Sequence, residues 1–224
     1  MTFKTALCVA VALLQASWLT AAPVGTWDVY GTGAKGDGKT MDTKAIQSAI
    51  DQCHQAGGGR VYLHSGRFLS GTIYLKSNVT LHIESGAVLL GSYDPDDYPI
   101  LPSRHPSYVG EFETGKMLIY AEDARNIGIV GQGIIDGQGD RFYVPDHPTS
   151  FNDRPRLIHL RGCENIRIRD VTLCNAATWV QSYQSCRDLV IDGITVDSRE
   201  NMDIEKDRYA DARGRNTAGL HLVD

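Results

Sequence analysis

A 23-residue repeat in the second half of the chain limits what it can fold into. Gly162–Leu173 (GCENIRIRDVTL) aligns with Ser185–Val196 (SCRDLVIDGITV). The alignment sets Cys163 over Cys186, Ile166 over Leu189, Ile168 over Ile191, Val171 over Ile194 and Leu173 over Val196. A fixed period of this size marks a solenoid, in which units that cannot bury an apolar face alone stack so that neighbours bury it. Inside each unit Ile166 and Ile168 alternate with polar residues, as do Val171 and Leu173, and the phase slips by one at Arg169–Asp170. Strand, bend, strand and turn with one face always apolar describe one coil of a parallel β-helix. Stacked coils pair each strand with the next at about 4.8 Å.

Earlier segments are looser copies. Asn78–Ile83 and Asn126–Val130 each open on Asn and then alternate, and such asparagines can stack as a hydrogen-bonded ladder. The chain carries 23 glycines, with recurring Gly-Asp and Asp-Gly pairs, which fits frequent turns between short strands. One helix is legible: Ile46, Ala49, Ile50 and Cys53 share a face, Asp42 can cap the start, and Gly57–Gly59 ends it. The expected fold is all-β, a right-handed parallel β-helix with a short N-terminal capping helix that covers an otherwise open edge.

Residues 1–22 read as a signal peptide: Lys4, then the apolar run Ala6–Leu14, then small residues to Ala22. The run is shorter than the roughly 20 residues that a spanning helix needs. Residues 23–224 are then one β-helix domain, exported to the periplasm or the extracellular space. No membrane or nucleic-acid partner is expected, and a monomer is. Removal of the leader takes Cys8 with it and leaves Cys53, Cys163, Cys174 and Cys186, for which three pairings stay open.

Gly33-Ala-Lys-Gly-Asp-Gly38-Lys39-Thr40 matches the phosphate-binding pattern G-x-x-x-x-G-K-[ST] letter for letter. In an exported protein its glycines suit a tight turn ahead of the helix better than a nucleotide.

The ordered motifs Tyr30–Thr40, Asp42–Ile46, Gly57–Leu63, Leu69–Leu81, Gly86–Ser92 with Asp97-Tyr98-Pro99, Gly133–Gly139 and Arg154–Ile158 resemble the polygalacturonase family, glycoside hydrolase family twenty-eight. The resemblance implies inverting hydrolysis of a pectin-type polysaccharide, a galacturonan or a rhamnogalacturonan, with no cofactor or metal, by aspartates on one outer face of the helix. One of these lies in Asn-Thr-Asp-Gly-Ile-Asp and two on the next coil. An inverting enzyme needs two carboxyl groups about 6.5–9.5 Å apart to admit a water. Here the matching stretch is Asn216-Thr217-Ala218-Gly219-Leu220-His221, so Ala218 fills the first aspartate slot and His221 the later one. The coil bearing the aspartate pair would lie past Asp224, so these 224 residues are expected to be an inactive N-terminal piece of an active parent.

Relocated carboxylates are candidates: Asp203 and Asp224 with His221 as catalytic groups, and Asp211 beside them. Trp179 falls where the resemblance implies an aromatic near the cleft, and Asn216 and Arg215 are the further substrate-binding candidates. Lys206, Arg208, Arg213 and Arg215 crowd the segment before the motif, and a polyuronate needs such cations on a chain of net charge −5. A non-catalytic saccharide-binding β-helix is the alternative. A Ca²⁺-dependent lyase is the third reading, but it needs a carboxylate cluster that the repeat strands lack.

Overall fold

A computed structural model describes residues 25–102, 105, 115–142, 153–197 and 220–223. The leader segment 1–22 lies outside the described residues, as do Asp203, Asp211, Arg215, Asn216, Ala218 and Asp224.

The strands are β1 (Gly25–Asp28), β2 (Asp37–Met41), β3 (Gly59–Leu63), β4 (Gly66–Ser70), β5 (Ile73–Tyr74), β6 (Val79–Ile83), β7 (Ala87–Gly91), β8 (Met117–Glu122) and β9 (Arg125–Gly131). They continue with β10 (Ile134–Asp136), β11 (Arg156–Arg161), β12 (Glu164–Arg169), β13 (Thr172–Cys174), β14 (Gln181–Gln184), β15 (Arg187–Asp192), β16 (Thr195–Asp197) and β17 (His221–Val223). Helix α1 spans Thr43–Gln55. Three sheets result, in the orders β1-β3-β6-β9-β12-β15, β2-β4-β7-β10-β13-β16 and β5-β8-β11-β14-β17. Every pairing is parallel, and the chain visits the sheets in turn, which makes a parallel β-helix.

The repeat sets the register as its spacing predicts. Ile166 pairs with Leu189, Ile168 with Ile191 and Leu173 with Val196. Inside, Val61, Leu81, Ile129 and Ile168 form one fully buried apolar row. Asn126 Nδ2 donates to Asn78 Oδ1 at 2.8 Å and Asn165 Nδ2 to Asn126 Oδ1 at 2.7 Å, so the asparagine ladder forms. These asparagines have φ of 66, 55 and 54°, a left-handed turn that Asn tolerates better than most residues. Cys163 and Cys186 stack on adjacent coils, and no disulfide joins any of the four described cysteines.

Two details differ from the sequence reading. Each coil holds three strands, not two: the strands of the third sheet have no strict alternation to betray them. Asp42 stands at the N-cap of α1 but makes no side-chain bond to the helix. Its buried carboxylate accepts instead from the backbone N–H of Lys35 at 2.7 Å and Gly36 at 2.9 Å.

That second detail also disposes of the phosphate-binding reading. The residues after the turn form strand β2 rather than a helix, and the N–H groups of Lys39 and Thr40 point at Asp37 Oδ1 at 2.8 and 2.7 Å. The chain's own carboxylates occupy the donors that a phosphate would use. These backbone bonds, with the Thr40 hydroxyl, lower the Asp37 pKa to about 2. A depressed carboxylate stabilises the fold above its unfolded pKa, and that contribution is lost as pH falls from about 4 towards 2. Asp37→Asn is therefore expected to flatten the fall of melting temperature over that window, as calorimetry at stepped pH would measure. An unchanged slope would remove Asp37 from the acid transition.

Helix α1 closes one end of the solenoid by standing in for a missing strand. Ile46, Ala49, Ile50 and Cys53 face the core, as their spacing predicts. A polar stripe next to them meets edge strand β5: Gln47 Oε1 accepts from Tyr74 N–H at 2.8 Å, and its Nε2 donates to Tyr74 C=O at 3.2 Å. Asp51 pairs with Lys76 at 2.8 Å, and His54 Nδ1 meets the Ser77 carbonyl at 2.9 Å. The helix thus satisfies edge groups that would otherwise invite another strand.

Candidate active-site face

The third sheet differs from the other two in what it carries on its outer side. Ile119, Ile158 and Leu160 point into the core, while Tyr120 and His159 between them face away. Register then lines up Tyr74, Tyr120, His159 and Ser182 across four strands, and the row continues to His221 on β17. Two residues further along each strand lie Glu122, Arg161, Gln184 and Val223. Leu157 and Ile158 are both buried in the core, and this break in alternation leaves Arg156 on the same side as His159.

The centre of this face is a tight polar network. Arg156 Nη1 lies 3.2 Å from His159 Nδ1 and 3.3 Å from Ser182 Oγ, and His159 Nδ1 is hydrogen-bonded to Ser182 Oγ. Nη1 is also 3.3 Å from His159 Nε2; a guanidinium only donates and a neutral imidazole has one acceptor nitrogen, so the tautomer sets which of the two takes that bond. The Arg156 Cζ sits 4.2 Å from the centroid of the Trp179 ring, a cation–π contact. Tyr120 stacks near His159, centroids 6.1 Å apart, and burial pushes its phenol up to about 12, so it stays protonated at neutral pH. Arg156 and His159 are each only 1% exposed. Lys116, Arg154 and Arg161 are buried as well. Lys116 is paired with Asp153 at 3.4 Å and donates to the Pro95 carbonyl at 2.8 Å. Arg156 and Arg161, at the two ends of β11, are the buried cations that the strands of this sheet themselves carry, and buried titratable clusters of this kind mark candidate functional sites.

Of the residues singled out in the sequence, Trp179 belongs to this network; it is 7% exposed and has Arg156 over its ring. His221 begins β17 and pairs with Ser182, which brings its backbone to this face. Among the described residues the strands of the third sheet carry a single carboxylate, Glu122. Sequence reasoning passed over Tyr120, His159 and Ser182, and took Arg156 only as part of the motif Arg154–Ile158. A signal existed: Ser182 follows His159 by the same 23 residues that relate the other two strands of the coil.

The sequence profile of the glycosyl hydrolases family 28 matches residues 68–224. An exo-poly-alpha-D-galacturonosidase of Dickeya chrysanthemi is 43% identical over 192 residues, covering 65% of this chain and 31% of that protein. An exopolygalacturonase of Zea mays is 26% identical over 210 residues, covering 90% of this chain and 44% of that protein. Among solved structures, the family 28 exopolygalacturonase of Yersinia enterocolitica superposes with a TM-score of 0.67 at 27% identity, covering 88% of this chain and 41% of that one. The chain thus spans less than half the length of these relatives.

Proposed function

The chain belongs to the glycosyl hydrolases family 28, and from that premise we propose that the full-length protein hydrolyses a galacturonan of the pectin type on the outer face of the third sheet. The observation that carries the proposal is the Arg156–His159–Ser182–Trp179 network, set in register beside the strand that opens at His221. A polyuronate carries a carboxylate on every sugar, and a chain of net charge −5 can hold it only where cations are gathered. Arg156 and Arg161 stand there, at the two ends of β11.

The sheet geometry suits inversion. A side chain on one coil and another on the next, two residues along, stand about 8 Å apart, from a strand step of about 4.8 Å and an offset of about 6.6 Å. That is within the spacing that admits a water between general acid and general base. Asp224, Asp203 and His221 are the first groups to replace in search of that pair, because the alanine at 218 can neither give nor take a proton. Asn216 and Arg215 are proposed to bind the substrate. Trp179 serves the site by holding the Arg156 guanidinium. In this reading residues 1–22 direct export and residues 23–224 belong to one β-helix, which acts in the periplasm or the extracellular space as a monomer.

Incubating the full-length protein with polygalacturonate should release reducing ends without the ultraviolet absorbance of an unsaturated product, and neutral galactan should stay intact. An unsaturated product would mean elimination, not hydrolysis. Binding without any new reducing ends would leave only a saccharide-binding protein.

A further inference from the structure

We propose that the outer face of the first sheet is a second, non-catalytic saccharide site, which holds an acidic polysaccharide across the strands. The ligand class rests on the galacturonan reading above; the groove does not.

Arg60 on β3, Thr80 on β6, Gly128 on β9 and Arg167 on β12 fall in one register row. Three strand steps separate the two guanidinium-bearing positions, about 14 Å. The floor between them is low because β9 offers no side chain there. A Cβ on Gly128 would come within 3.1 Å of Thr80 Oγ1, so the dip is already closely bounded. Two residues earlier on the strands runs the amide ladder of Asn78, Asn126 and Asn165. Two residues later, Tyr62 stacks on His82 with centroids 4.5 Å apart and planes 23° from parallel. A cavity of ≈ 400 Å³ lies over Thr80, Asn126, Gly128 and Asn165, with Arg60 and Arg167 on its rim. It adjoins another of ≈ 440 Å³ that reaches His82 but also carries Glu84 and Asp170, so the carboxylate-binding part is the Arg60–Arg167 row.

The charges on this face are not all equal. Arg169 pairs with Asp192 at 3.0 Å, and Arg125 and Arg187 share Glu164 at 3.5 and 3.3 Å. Among the described residues neither Arg60 nor Arg167 has a carboxylate partner. Arg167 Nη1 donates only to the carbonyls of Ile166 and Asp188, at 3.0 and 3.3 Å. Two guanidinium groups left to bind carboxylates, side-chain amides along one wall and an aromatic stack along the other match a ligand with carboxylates, hydroxyls and apolar ring faces. A polyuronate has all three. Held here, on a different sheet from the cleft, a polymer stays near the catalytic face after each cut, and its effective concentration rises.

The test uses the full-length protein with the double substitution Arg60→Gln and Arg167→Gln, both exposed positions at which melting temperature should hold. Co-sedimentation with insoluble polygalacturonate should weaken by about fivefold to tenfold, and less in high salt. KM for the polymer should rise in step, while kcat and turnover of a trisaccharide stay as in the wild type. A double variant that binds and turns over polymer like the wild type, while Arg156→Gln does not, would overturn the second site and leave the hydrolase reading standing. A wild-type protein that neither binds nor cleaves polygalacturonate would overturn this ligand together with that reading.

Discussion

Ile168→Asp should be the most damaging single change in the core, with a loss on the order of 4 kcal/mol. Ile168 is fully buried, with Ile129 on one side and Ile191 on the other in the same ladder. A carboxylate there has no water and no cation, so the protein must either protonate it or open the coil. Ile168→Val, which only trims a methyl, should cost about 1 kcal/mol. The register gives Ile191→Asp the same logic, yet Ile191 is only partly buried and β15 is at the edge of its sheet among the described residues, so its cost should be smaller. Arg167→Asp, one residue away on the outer face, should cost under about 1 kcal/mol. Urea melts of the four variants give the order directly. Equal midpoints for Ile168→Asp and Arg167→Asp would mean that inner and outer faces are reversed.

The ladder was legible in the sequence because its strands alternate. Ile166, Ile168, Val171 and Leu173 each have a polar neighbour, and the second copy repeats them in place. The capping helix was legible for the same reason, through its 3.6-residue apolar spacing. The third sheet was not. Its strands read Arg-Leu-Ile-His-Leu-Arg and Gln-Ser-Tyr-Gln, with two consecutive residues turned inward in one and no aliphatic side chain in the other. Binary patterning fails there because polar side chains are buried on both sides of the strand: Tyr183 bonds to Gln181 at 2.8 Å, while Ser182 joins the network outside. The candidate site lies on the sheet where pattern is weakest, as expected where function overrides the folding rules. Asp42 carries a related lesson. Its position before a helix marked it as a cap, but a tighter set of backbone donors at Lys35 and Gly36 competes for the same carboxylate.

The second large effect concerns chemistry. Arg156 touches His159 and Ser182 and lies over Trp179, so it fixes three side chains of the proposed cleft at once. Arg156→Gln keeps an amide donor but loses the charge and the cation–π contact. A positioned donor or charge in such a site is commonly worth about a hundredfold in rate, and that is the expected fall in kcat/KM on polygalacturonate. Arg156→Lys keeps the charge without the planar fork and should recover only part of it, mostly in KM. Because Arg156 is buried, each variant needs its melting temperature beside its kinetics, and the lysine variant guards against simple unfolding.

The claim that the third sheet is the catalytic face is tested most directly by steady-state kinetics of the full-length protein on polygalacturonate. Three forms suffice: wild type, Arg156→Gln, and Arg67→Gln as a control on the exposed side of the second sheet. The expected result is a loss of about a hundredfold for Arg156→Gln and none for Arg67→Gln. A folded Arg156→Gln protein that cleaves polygalacturonate as fast as the wild type would contradict it.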